Sequence, residues 1–166
     1  VSAVDALREV VAESIVDRAA EVSRLLNELG VPHALIGGLA VGVHGHPRGT
    51  KDVDFLVGVE AFATTEPLLT YRDELKAMVQ VGETDIMSVP PRYPVLASEL
   101  RLEADVPVIS LAGLVLMKLD ASRAQDREDV RVLLGKQPGR IAEVRNHLRA
   151  HAPELVVRLG EALVGF

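Results

Sequence analysis

With 166 residues, 48% of them hydrophobic and 25% charged, the chain reads as a single α/β (α+β) domain over 1–166, with a core at about 25–135 and a helical tail at about 136–166. The lack of cysteine excludes disulfides and thiolate metal sites, and no apolar run reaches the ~18 residues of a bilayer span, so no membrane contact is expected. A net charge of −6, with basic residues scattered among acids, argues against a long nucleic-acid footprint and limits any RNA contact to a small or partner-assisted one.

The opening residues, VSAVDALREVVAES, carry too many charges for the apolar region of a signal peptide, and a cytoplasmic location is expected. Val4, Leu7, Val11, Ile15, Ala19, Val22, Leu26 and Leu29 recur at spacings of three and four, which predicts one amphipathic helix stopped by Gly30. His33 to Gly37 predicts a short apolar strand, broken by Gly37-Gly38, and LAVGVHG a small-residue helix. HPRGT is a loop by composition. Lys51 to Val57 alternates as a second strand, with Val53, Phe55 and Val57 on one face and Asp52, Asp54 and Leu56 on the other.

Glu60 to Leu75 reads as helix or irregular crossover, and KAMVQVGETDIMSV as two short strands broken at Gly82. PPRYP is a turn, VLASELRLE one or two helical turns, and VPVIS a further strand. From Ser110 onward four helical segments follow, LAGLVLMKLDA, QDREDVRVLL, GRIAEVRNHLRAHA and PELVVRLGEALV, punctuated by Pro138-Gly139 and Pro153.

Two devices in the stretch from Gly37 to Asp54 carry chemistry. Glycines at a strand-to-helix junction let backbone approach a ligand and leave the first helical N–H groups to bind phosphate oxygens. Two carboxylates two residues apart on a strand have Cα atoms roughly 6.6 Å apart on one face. Converging side chains from there can bridge divalent ions about 3.5–4 Å apart, the spacing used for in-line phosphoryl displacement. Each device alone is common, and an isolated Asp-x-Asp is more often a pair of solvated acids at a strand end. The order strand, Gly-Gly, small helix, basic loop, Asp-x-Asp is the more specific signal.

The stretch IGGLAVGVHGHPRGTKDVDFLV resembles the minimal nucleotidyltransferases of the DNA polymerase beta superfamily, and is especially similar to the bacterial branch that holds abortive-infection toxins of toxin–antitoxin pairs. The matching positions are Gly37, Gly38, Arg48, Thr50, Asp52 and Asp54, with Lys51 beside them. The resemblance implies two Mg²⁺ ions, an NTP substrate and transfer of a nucleoside monophosphate to a hydroxyl of tRNA, a protein or a small molecule, with an antitoxin as partner. It also implies a third carboxylate on a neighbouring strand, for which Asp85 is the candidate and Glu83 the fallback. A fold that binds nucleotide or a protein partner without turnover is the alternative reading.

Lys118 is the one cation of a helix that is apolar on almost every side, and it shares a stripe with Leu111, Leu114 and Val115. An ammonium there must snorkel, meet a carboxylate or face a polar cleft. The resemblance gives Lys118, Arg123, Asp126 and Asp129 roles in triphosphate contact and catalysis. Equally, Ser122 and Gln125 could cap a helix in which Asp126 and Asp129 are ordinary first-turn acids. His44-Gly-His46 invites a zinc reading, but no third ligand has recognisable spacing.

Overall fold

The computed structural model describes residues 2–65, 68–79 and 83–164. The chain forms two compact units, one made of Val1–Val43 and Pro47–Ile109, the other of His44–His46 and Ser110–Phe166. The expected strand break at Gly82 lies outside the described residues.

The first unit begins with a 3₁₀ segment, Ala3–Glu9, followed by helix α1, Glu13–Glu28. The expected single helix is thus interrupted: Ala12 is extended, at φ −53° and ψ 134°. Packing overrides the periodicity. Val4, Leu7, Val11 and Ile15 are all buried in one core even though they come from two segments, and Leu7 reaches so close to Gly42 that a Cβ there would lie 2.9 Å from its Cδ2. Gly30 does end α1: at φ +68° it directs its N–H to Asn27 O while Val31 N–H reaches Leu26 O. This paired closure satisfies the last carbonyls of the helix.

Strand β1, His33–Ile36, runs antiparallel to β2, Val53–Val57, and β2 runs parallel to β5, Thr84–Ser88. Helix α2, Gly37–Val43, follows β1 directly. Val53, Phe55 and Val57 enter the core as their alternation predicts, and Leu56 is buried as well. The strand begins at Val53 rather than Lys51; Val53 N–H to Glu83 O, 2.8 Å, leads into its pairing with β5.

Most of the stretch 60–75, expected as helix or irregular crossover, is a strand pair, and it is helical only at its two ends. A short 3₁₀ turn, Val59–Ala61, leads into an antiparallel hairpin, β3 (Phe62–Thr65) with β4 (Leu68–Tyr71), and then helix α3, Asp73–Val79. Phe62 and Tyr71 pair across this hairpin and stack at 4.9 Å between ring centroids, and such cross-strand aromatic pairs stabilise a hairpin that periodicity does not reveal. Lys76 to Val79, expected as strand, completes α3. The expected VPVIS strand is reduced to a single bridge, Leu35 with Val108. Pro107 lacks an N–H and contributes only its carbonyl, accepting from Leu35 N–H at 2.7 Å.

In the second unit, α4 (Leu111–Ala121), α5 (Ala124–Lys136), α6 (Ile141–His151) and α7 (Val156–Ala162) follow the expected segments. Ser110 caps α4 by accepting from Gly113 N–H at 3.1 Å. Leu116, Leu119, Leu133, Leu134 and Leu148 are fully buried. Together the units give an α+β chain with a small mixed sheet, flanking helices and a helical C-terminal part. Among the described residues, no helix is long and apolar enough to cross a membrane.

Candidate active site

The register of the small sheet decides which residues meet. Ile36, the last residue of β1, is paired with Asp54 on β2, so Gly37 emerges from β1 beside the Asp54 side chain. The fit is close: a Cβ on Gly37 would lie 2.1 Å from Asp54 Oδ2, and Gly37 has φ +67°. Only glycine accommodates both conditions without strain. A Cβ on Gly38 would lie 2.9 Å from Thr50 Oγ1 and 3.6 Å from Arg48 Nη1. The two glycines therefore leave room for a carboxylate on one side and for the basic loop on the other.

On the far side of β2, Asp54 is the Cα partner of Asp85 on β5. Residues in register on adjacent parallel strands stand about 4.8 Å apart and share a face. Asp54 is half-buried and Asp85 exposed. Asp52 is exposed and lies just before β2, its carbonyl accepting the Thr50 hydroxyl at 3.4 Å. Lys51 is exposed as well. Glu83, the fallback for the third carboxylate, precedes β5 and lies 3.5 Å from the Arg18 guanidinium.

These residues fit a pair of hard divalent ions in donor chemistry, because carboxylate oxygens are what Mg²⁺ takes. The space that Gly37 leaves for the Asp54 carboxylate fits as well. Among the described residues, however, no three His, Asp or Glu side chains already converge closely enough to hold one ion. The backbone register supplies the juxtaposition, and the side chains would complete it by rotation about their own torsions.

Tyr71 is the member of this neighbourhood that sequence reasoning misses. Its hydroxyl donates to the carbonyl of Ile86, the residue after Asp85. Burial raises the phenol above its ordinary pKa of 10.0, and the Asp85 charge pushes it further the same way. Nothing in the residue string pairs position 71 with position 86; only the hairpin brings them together.

Lys118 belongs to the second unit and has met its carboxylates. Its Nζ lies 2.9 Å from Asp126 Oδ1 and 3.0 Å from Asp129 Oδ2, and all three side chains are buried. Gln125 donates to Asp129 at 2.9 Å, and Arg123 donates through Nε to Asp126 at 2.7 Å. The helix start here differs from the expected one. Ser122 is left-handed, at φ 52°, and ends α4; Arg123 is the N-cap of α5, its N–H bonded to Asp126 Oδ2 at 3.2 Å. Burial raises the pKa of Asp126, but the hydrogen bonds from Arg123 and Lys118 outweigh it, and the net shift is below the ordinary 3.8. In the same unit, His46 Nε2 stands 4.0 Å from Asp129 Oδ1.

Residues 13–134 match a family model described as nucleotidyltransferase of unknown function, DUF6036, and since the match spans well over half of the chain, the chain belongs to that family. Among solved structures, the chain is similar to an antigenic nucleotidyltransferase-like protein from Paracoccidioides brasiliensis, with 15% identity and a TM-score of 0.49 over 93% of this chain and 94% of that one. No curated protein gives a significant match.

Proposed function

We propose that the protein is a Mg²⁺-dependent nucleotidyltransferase that moves a nucleoside monophosphate from an NTP to an acceptor hydroxyl. The observation that carries this reading is the register of Asp54 against Asp85, with Asp52 two residues away and two glycines packed beside Asp54. In this reading Asp52, Asp54 and Asp85 would hold two Mg²⁺ ions. Bound there, the ions would neutralise phosphate charge and lower the pKa of the acceptor hydroxyl.

The remaining work falls to the chain itself. The acceptor oxygen forms a bond to the α-phosphorus, the bond from that phosphorus to the bridging oxygen breaks, and pyrophosphate leaves. Asp85 draws the proton from the acceptor hydroxyl. The Gly37-Gly38 backbone, the Thr50 hydroxyl and the Arg48 guanidinium orient the triphosphate, with Lys51 adding charge at the edge. Positioning and charge neutralisation of this kind account for most of the catalysis in phosphoryl transfer.

The finer reading is that the enzyme works in the cytoplasm as a toxin of the abortive-infection type, held in check by an antitoxin. Its acceptor would then be a tRNA, a protein or a small molecule. Its motivation is the run from Gly37 to Asp54. The test is incorporation of label from each α-labelled NTP, with Mg²⁺, into tRNA and cell extract. Transfer that disappears in the Asp52→Asn/Asp54→Asn variant supports the enzyme, and the size of the labelled product identifies the acceptor class. No transfer with any nucleotide, with or without extract, would favour a fold that binds nucleotide or a partner without turnover.

A further inference from the structure

The sheet of the first unit has the order β1-β2-β5, which leaves β5 at its edge. An edge strand pairs its backbone on one side only, and the groups on its other side must find partners elsewhere. This edge strand carries Asp85, the carboxylate opposite Asp54. Among the described residues, the Tyr71 hydroxyl donates to the backbone carbonyl of Ile86 on this strand. Tyr71 closes β4 of the hairpin, and its ring is held by the stack on Phe62, 4.9 Å between centroids with the planes 28° apart. The hairpin forms a sheet of its own, so this side-chain hydrogen bond ties two separate sheets together at the residue next to Asp85.

We propose that Tyr71 is a positioning residue for the third carboxylate: by holding the outer edge of β5 at Ile86, it fixes Asp85 in register with Asp54 for binding a divalent ion. The proposal rests on the reading of Asp52, Asp54 and Asp85 as metal ligands and adds to it a residue outside the ligand set. Tyr71 touches neither nucleotide nor metal in this account. It acts through the strand, and removing its hydroxyl loosens Asp85 without altering the ring stack on Phe62. The Asp85 charge, which adds to the disfavouring of Tyr71 ionisation, is consistent with their closeness.

The experiment is a double-mutant cycle on the full chain, read by Mn²⁺ binding in electron paramagnetic resonance with no nucleotide present. Wild type, Tyr71→Phe, Asp85→Asn and the double variant are compared, each with its melting temperature. Tyr71→Phe should weaken Mn²⁺ binding about 3- to 10-fold, the range for losing one supporting hydrogen bond around a metal ligand. In the Asp85→Asn background the same change should have no further effect, because Tyr71 acts through Asp85. A Tyr71→Phe protein that binds Mn²⁺ as wild type does would overturn the inference and leave the metal site standing. Equal weakening in both backgrounds would also overturn it, by showing a general loosening of the fold. Wild type that binds no Mn²⁺, with or without added NTP, would overturn the metal-site reading itself and the inference with it. If Tyr71→Phe lowers the melting temperature sharply, amide exchange at Ile86 and Met87 replaces it as the reading: exchange confined to β5 supports the role, and exchange spread over β1 and β2 contradicts it.

Discussion

The chain holds two groups of aspartates, and their surroundings differ in kind. In the second unit, Asp126 and Asp129 are buried against Lys118, with Arg123 and Gln125 completing the hydrogen bonds. In the first unit, Asp52 and Asp85 are exposed and Asp54 is half-buried, all close to a sheet edge and two glycines. A buried ion cluster with its partners in place is a structural joint, because removing one member strands a charge in a poor solvent. An exposed row of carboxylates adds little to folding. Its repulsion is tolerable where a cation can relieve it. Loss of the first group should therefore show as lost stability, and loss of the second as lost chemistry.

The largest expected effect is on the buried group. Lys118→Met leaves two buried carboxylates without their ammonium and should cost about 3–5 kcal/mol in urea denaturation. A cost below 1 kcal/mol would erase the contrast between the two groups. Next comes Gly37→Ala, which meets a left-handed φ of +67° and a carboxylate oxygen 2.1 Å from the new Cβ. The strained backbone should cost about 1–2 kcal/mol. Displacement of Asp54 should lower transfer about 100-fold, the scale of an ångström-sized misplacement. Thermal melts and initial rates on the same preparation read both.

The effect of acid sharpens the comparison further. Asp126 titrates in the folded chain below its ordinary 3.8, so the stability it contributes is complete above about pH 5 and is lost as pH falls through the folded-state value. Lys118→Met should flatten that part of the stability curve. His33 adds a second acid-sensitive step at higher pH. It is buried between Ser23 Oγ, 2.7 Å from Nε2, and Val31 O, 2.9 Å from Nδ1. Burial, opposed by the bond to Val31, lowers its pKa below 6.5. The unfolded chain takes up that proton first, so stability should begin to fall as pH drops below 6.5. The smallest effect expected is on folding in Asp85→Asn, within about 0.5 kcal/mol of wild type.

What was legible in the sequence was local chemistry. Gly30 ends its helix and Ser110 begins one because the groups they satisfy lie within four residues. Lys118 on an apolar stripe needs to snorkel, meet a carboxylate or face a polar cleft, and the second holds, with Asp126 and Asp129 as its partners. Gly37-Gly38 and Asp52-Val-Asp54 stood out by composition and order. What stayed hidden depends on contacts between distant segments. The break after Glu9 follows from the packing of Leu7 on Gly42, and the hairpin from the meeting of Phe62 with Tyr71. The short strand expected at VPVIS failed for a local reason, since Pro107 cannot donate, and that one was readable. Tyr71 had no signal at all, because its partner is a backbone carbonyl fifteen residues on in another sheet.

The central claim is that Asp54 and Asp85, paired across two strands, form one catalytic unit. Its most direct test is the rate of label transfer by Asp54→Asn, Asp85→Asn and the double variant, with folding checked by melting. The account predicts that each single change lowers the rate by about 100-fold or more, that the double variant is little worse than either, and that all three stay folded. Transfer that persists near the wild-type rate in a folded Asp85→Asn protein would contradict it.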